Sequence, residues 1–388
     1  MRTVRAAGVK VVLDATTLDG LPSGAATRLA GLGAALAART DVTTLYLVRP
    51  GLDPLPGLPC HPWSDTHSPW GRLRVGPRLD TLLRQQGADL FHAAALPLAR
   101  VGATPQLLTL HDLRFLHPGA HTSLARRLWA RYLLGANLKR AARLVAVSQS
   151  TAAELRSRGL AGPDALSVVP NAPTPGLAPV TDTDALAAFR RRAGLNCRYL
   201  LTIGPLAGHK RVGQALELLA ELRAGTQGSV GEGSDLALVL AGRADPETAL
   251  TVTRRAERLG LAPAVRLVGV LADDELAAAL CGAEALLSLG RSEGFAIPVV
   301  DAQTLGVPVV AVSAGALPEV GGDAAWMVAP DDRAALAAAV CEAVRPGPER
   351  EARLSRGRAL AARWSWEASA EALVQCWRAT LERAGSSG

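Results

Sequence analysis

The sequence predicts an α/β protein made of two doubly wound, Rossmann-like parallel-sheet domains, and three observations carry that expectation. Runs rich in Val, Leu and Ile alternate with alanine-rich stretches of helical character along the whole chain. The apolar runs lack an internal polar alternation, the mark of parallel strands covered by helices on both faces. Midway, Pro170, Pro173, Pro175 and Pro179 crowd together and exclude both helix and central strand, which places a junction there. A chain of 388 residues at roughly 150 residues per domain agrees with two domains.

The first domain, expected over 1–178, reads as the strand KVVLDA, a helix near 25–38, and the strands TTLYLV, DLFHAA, QLLTLHD, RLVAVS and LSVVPN. The second, expected over 196–365, reads as RYLLTIG, LALVLAG, VRLVGV, ALLSL, VPVVAV and WMVAP, with helical stretches between them. GTQGSVGEGSD at 225–235 is composed like a surface loop. Thr151 and Glu154 are spaced as a capping box for the helix after RLVAVS. The segment 366–384 puts Trp366, Ala370, Leu373, Trp377 and Leu381 on one stripe of an amphipathic helix.

Composition narrows the function classes. With 49% apolar and 20% charged residues the chain is not a disordered one. Its five cysteines are odd in number and far apart, with no C-x-x-C pair, which argues against a disulfide framework and a zinc site and suggests a reducing compartment. The N-terminal apolar run is broken at Asp14, too early for a secretory h-region, and no run is long enough to span a bilayer. A cytoplasmic protein is therefore expected. Neither a P-loop nor a strand-borne G-x-G-x-x-G is present, which argues against P-loop enzymes and dinucleotide oxidoreductases. The net charge of +7 favours anionic partners without choosing among them. Between Leu113 and Ala153 there is no Asp or Glu, while Arg114, Arg126, Arg127, Arg131, Lys139, Arg140 and Arg143 fall there among Trp129 and Tyr132. That stretch, 114–143, reads either as a solvated basic face or as a peripheral contact with an anionic membrane surface. No nucleic-acid motif accompanies it.

The loop with the most chemistry is GRSEGFAIPVVDAQTLGVPVVAV, residues 290–312. It leaves a strand, passes Glu293, Gly294 and Phe295, and enters a helix with Pro298 in its first turn and Gly306 at its end. Free N–H groups at such a helix start donate to a phosphate, and the carboxylates Glu293 and Asp301 accept hydrogen bonds from hydroxyls. Two acceptors beside an anion site suit a sugar nucleotide.

E-G-F-x-x-P-x-x-D, followed by G-V-P-V-V-A and by ALPEVGGDAA from Ala316, resembles the donor site of glycosyltransferase family 4, retaining enzymes of the GT-B fold. The resemblance implies two Rossmann-like domains facing a central cleft. It implies that Glu293 contacts the donor sugar and Asp301 the nucleotide ribose. Asp stands where the family has Glu, and the missing methylene lengthens that contact or bridges it through water. Leu289 and Gly290 replace the family's Pro-Ser. In TIGPLAGHKR (202–211) Gly204 makes the turn, Lys210 matches the lysine that grips the diphosphate, and His209 stands where Arg often does. In DATTLDGLPSGAATRLAG (14–31) Ser23 and Gly24 match the loop bordering donor phosphate and acceptor. His111, at the end of LLTLHD, matches a histidine near the transferred sugar, with Asp112 to orient it. VVPNAP resembles the segment closing the first domain, with Ala172 for the family's glycine, and the last helix resembles one that packs back on that domain.

These matches imply a retaining hexosyltransferase using a nucleotide diphosphate sugar, with no required metal or cofactor and no covalent nucleophile. The G-x-L-x-x-x-K turn and ALPEVGGDAA are closest to mannosyltransferase-like members, so GDP-mannose is favoured over UDP-glucose. The acceptor is expected to be a carbohydrate or lipid-linked hydroxyl, reached from the cytoplasm or the inner face of a membrane. The alternative is a non-catalytic GT-B partner subunit or sugar-nucleotide-binding protein.

Overall fold

The computed structural model describes residues 8–64, 75–94, 98–99, 101–117, 134–135, 137–206, 210–225 and 235–386. His209, most of the 225–235 loop, and residues 118–133 and 136 of the basic stretch lie outside the described residues. The chain divides after Ala172 and again after Arg363, so that its last segment joins the first unit.

The first unit contains the strands Val9–Asp14 (β1), Val42–Val48 (β2), Cys60–Pro62 (β3), Leu90–Ala93 (β4), Gln106–Leu110 (β5), Arg143–Ala146 (β6) and Leu166–Val168 (β7). They form a sheet in the order β3-β2-β1-β4-β5-β6-β7, parallel throughout. Successive side chains leave a strand on opposite faces. Accordingly Val11, Leu13, Tyr46, Leu90 and Leu107 belong to one buried cluster and Val12, Leu47, Phe91 and Leu108 to the other. Both faces are covered, the physical reason these strands are apolar without alternation. The strand β3 is absent from the sequence expectation. It is a short edge strand, partly exposed and ending in Pro62, with no apolar run to announce it.

The Gly24–Ala37 helix lies against the closing helix, Trp366–Ser386, in one of these clusters. Trp366, Ala370, Leu373 and Trp377 are buried there. Gly31 makes the contact possible, since a Cβ on it would lie 2.3 Å from the Trp366 indole. The helix after β6, Gln149–Ser157, corrects the expected capping box. Ser148 is its N-cap, accepting the Thr151 N–H at 3.0 Å. Glu154 instead faces His117 Nε2 at 2.8 Å and Arg158 Nε at 2.8 Å. The Ser-x-x-Thr frame begins three residues earlier because Ser148 has the extended backbone a cap requires.

The second unit contains Arg198–Ile203 (β8), Leu236–Ala241 (β9), Val265–Gly269 (β10), Ala285–Ser288 (β11), Val309–Val312 (β12) and Trp326–Val328 (β13). Their order is β10-β9-β8-β11-β12-β13, again parallel. The connections from β8 and β11 thus leave toward opposite halves of the sheet. A crevice opens at that switch, at the C-terminal ends of the two strands. No helix among the described residues is long and apolar enough to cross a membrane.

Candidate functional site

At the switch of the second unit the strand ends are built of glycine. Gly204 follows β8 at φ 126° and Gly242 follows β9 at φ 144°. The Gly204 N–H donates to the Ala241 carbonyl at 2.9 Å, and a Cβ on Gly242 would fall 1.9 Å from the Gly204 carbonyl oxygen. Only glycine permits backbones this close in such conformations. Gly290 follows β11, and Gly315, at φ 56°, follows β12. A Cβ on Gly315 would lie 2.8 Å from the Glu293 carbonyl oxygen, which accepts the Ala316 N–H at 3.0 Å.

Into this glycine frame project Lys210, from the loop after β8, and Glu293, from the loop after β11. Lys210 Nζ lies 2.7 Å from Glu293 Oε1, and the two side chains are only 12% and 11% exposed. Glycine walls the pair on both sides. A Cβ on Gly204 would stand 2.7 Å from Lys210 Cε and one on Gly290 2.4 Å from Glu293 Oε1. The ammonium keeps further N–H donors and the carboxylate further lone pairs. The pair can therefore receive an anion on one side and hydroxyl donors on the other.

The other members of the donor loop sit differently. Gly294 is half-buried, and Phe295 is buried in the core beneath the loop. Ala296 takes a left-handed φ of 69° and starts the Ile297–Leu305 helix without a side-chain cap. Asp301 lies one turn into that helix and is 1% exposed. Its Oδ1 accepts the Thr174 N–H at 2.7 Å and its Oδ2 the Thr174 hydroxyl at 2.8 Å. Burial pushes its carboxyl up to about 7, with the two Thr174 bonds pulling the other way. A further group that the sequence did not single out lies on the same edge. Arg211 and Arg291 both pair with Asp331, and Arg211 and Asp331 are left-handed at φ 53° and 73°.

In the first unit Ser23 caps the Gly24–Ala37 helix, its hydroxyl accepting the Ala26 N–H at 3.2 Å. Gly24 is the first helical residue, and the glycine with positive φ in that loop is Gly20, at 81°. Four residues on, Arg28 is buried. Its Nη1 donates to the carbonyls of Val169 at 3.0 Å and Pro170 at 3.2 Å and to Asn171 Oδ1 at 2.6 Å. Burial lowers the guanidinium to about 9, so it stays charged at neutral pH. His111, at the end of β5, hydrogen-bonds the Ala94 backbone. Burial first, then the Arg28 charge, push its pKa down to about 4, leaving a neutral imidazole. Asp112 accepts the Arg114 N–H at 3.0 Å. His92 is a packing histidine: Trp377 Nε1–H donates to its Nδ1 at 3.2 Å, and its Nε2 lies 2.8 Å from Thr109 Oγ1.

Sequence reasoning did not single out Thr174, Arg28, Gly242 or Gly315, and it met Gly290 only as a departure from the family's Pro-Ser. The repeated signal was the glycine that follows a strand in TIG, LAG, LSLG and VSAG.

Comparison with known proteins follows the same division of the chain. The model for "Glycosyltransferase Family 4" matches residues 22–173 and that for "Glycosyl transferases group 1" residues 188–359. The O-antigen chain mannosyltransferase B of Escherichia coli is 34% identical over 103 residues, 26% of this chain and 27% of that protein. The MMP alpha-(1->4)-mannosyltransferase of Mycolicibacterium hassiacum is 37% identical over 130 residues, 32% of this chain and 31% of that protein. The matched stretches span less than a third of either relative. Among solved structures, HepE of Anabaena in complex with UDP and glucose superposes with a TM-score of 0.73 at 17% identity. That alignment covers 95% of this chain and 99% of HepE, a likeness of fold.

Proposed function

Because the chain belongs to glycosyltransferase family 4, we propose that it is a retaining transferase moving a hexose from a nucleotide diphosphate sugar to an acceptor hydroxyl. The observation that carries the reading is the Lys210–Glu293 pair set between glycine strand ends at the switch of the second sheet. Lys210 would meet the diphosphate and offset the charge that grows on it as the sugar leaves. Glu293 would accept hydrogen bonds from the sugar hydroxyls. The bond from the anomeric carbon to the phosphate oxygen breaks while a bond to the acceptor oxygen forms on the same face. The acceptor proton passes to the departing phosphate. His209 is assigned to the diphosphate beside Lys210, Asp301 to the ribose, and Gly204, Gly294 and Phe295 to the walls of the donor loop. From the first unit we assign His111 a hydrogen bond to the transferred sugar, and Ser23 and Gly24 the border of phosphate and acceptor.

The two mannosyltransferase relatives support mannose as the transferred sugar, in keeping with GDP-mannose as the first donor candidate, and HepE, solved in complex with UDP-glucose, makes that the next candidate. The acceptor is taken to be a carbohydrate or lipid-linked hydroxyl on the cytoplasmic side of a membrane, approached through the basic stretch 114–143. A thermal-shift series with UDP-, GDP- and ADP-sugars tests the donor site and names the base, since a bound ligand stabilises by RT ln(1 + [L]/Kd). With the donor so found, Glu293→Ala should lose transfer while staying folded. A loss in kcat/KM of less than about tenfold would remove Glu293 from the reaction. One observation favours the second reading, a sugar-nucleotide-binding partner subunit: Asp301 is buried and both its oxygens are occupied. Nucleotide binding with no turnover of any nucleotide sugar would decide for it.

A further inference from the structure

Asp301 carries a contact that the donor-site reading leaves unexplained. A residue meant for a ribose would be expected to face open space, yet Asp301 is 1% exposed and both its oxygens accept from one residue. That residue, Thr174, is the second of its unit, immediately past the boundary at Ala172. Its two donors sit on vicinal carbons: the N–H on Cα and the hydroxyl on Cβ. A ribose presents the same pattern, two donors on adjacent carbons, through its 2′- and 3′-hydroxyls. Threonine's 1,2-amino-alcohol unit is thus the protein's nearest equivalent of a vicinal diol, and it is bonded here at 2.7 and 2.8 Å, one donor to each oxygen.

We propose that Thr174 is a built-in occupant of the ribose subsite, held on Asp301 until a nucleoside's vicinal diol displaces it. The proposal rests on the donor-site reading above and adds to it a residue that competes with the donor. Burial makes the direction reasonable. A carboxylate this enclosed is poorly tolerated without hydrogen-bond donors, and the Thr174 bonds are what oppose its upward shift. Whenever it is ionised, Asp301 therefore needs a pair of donors, Thr174 in the empty protein and the diol in the loaded one. Binding becomes an exchange of donor pairs, so the ribose hydroxyls gain less than they would at an open carboxylate. The short Asp side chain fits this role, because it keeps the carboxylate down beside Thr174 instead of extending it outward.

The test is calorimetric titration of the full chain with GDP and UDP, using wild type, Thr174→Val and Thr174→Ser, and repeated with the 2′,3′-dideoxy nucleotides. Valine keeps the shape of threonine and removes the hydroxyl donor. The expected result is a Kd at least about fivefold lower in Thr174→Val for the ribonucleotide, no gain for the dideoxy nucleotide, and wild-type behaviour in Thr174→Ser. Hydrogen exchange of the peptide spanning 172–178 gives a second reading in the unmodified protein. Saturating GDP or UDP should speed exchange of the Thr174 amide, the reverse of ordinary ligand protection. If the wild type binds nucleotide and Thr174→Val binds it equally or more weakly, with the amide protected, the occupant proposal falls and the donor site stands. If neither wild type nor variant binds any nucleotide, the donor-site reading falls, and this proposal with it.

Discussion

Replacing Gly290 with alanine perturbs the Lys210–Glu293 pair by a single methyl group. The added Cβ would lie 2.4 Å from Glu293 Oε1 and 3.2 Å from its Cδ. Non-bonded heavy atoms settle near 3.5 Å, so the carboxylate must retreat by about 1 Å. The 2.7 Å approach to Lys210 is then lost or redirected. The atom displaced is the far end of a side chain, and Gly290 does not have the left-handed φ that would strain alanine. Folding should therefore be nearly unaffected. Misplacing a group that touches the reacting sugar by about 1 Å costs on the order of 100-fold in rate, or about 2.7 kcal/mol of barrier. The assay is kcat/KM with the nucleotide sugar giving the largest thermal shift, alongside a melting curve. Gly162→Ala serves as control, since nothing lies within 4 Å of a Cβ there. A loss below about threefold with an unchanged melting curve would refute the reasoning, because the carboxylate's position would then not govern transfer.

Asp301 predicts a pH dependence of stability. Its folded value of about 7 lies above an unfolded value near 3.9, so the native protein keeps a proton that the unfolded chain releases in that interval. Its contribution is whole below about pH 4 and is lost as pH rises through 7, on the order of 4 kcal/mol. Asp301→Asn should flatten the slope of urea midpoint against pH between 4 and 7, and parallel curves for the two proteins would contradict this. Gly31→Ala should lower the melting temperature by a few degrees, because overpacking against the rigid Trp366 indole, about 1–3 kcal/mol, outweighs a helix-propensity gain of about 1 kcal/mol. An unchanged or higher melting temperature would show that the indole moves aside. His111, held neutral by burial and by Arg28, should give the transfer rate no inflection near pH 6.5. An inflection there that disappears in His111→Gln would show the imidazole titrating.

The α/β class was written in the sequence because it needs only local periodicity. Val11 and Val12, or Leu107 and Leu108, are apolar neighbours that go to opposite faces, and a strand covered on both sides must read that way. The spacing of Glu293, Pro298 and Asp301 was legible for a similar reason, since the loop and the helix that hold them are contiguous in the chain. The edge strand Cys60–Pro62 was not, because an exposed strand of three residues buries too little to impose a pattern. Nor could the sequence say whom the polar residues would meet. Thr174 finds Asp301 across 127 positions, Arg28 finds Asn171 across 143, and His92 finds Trp377 across 285. Each of these pairings depends on where β-sheet order and helix packing deliver two side chains. A buried donor or acceptor must take the partner that the fold brings within reach. The amino-acid sequence determined which residues could carry chemistry, and the tertiary structure decided that Lys210 faces Glu293 and that Thr174 occupies Asp301.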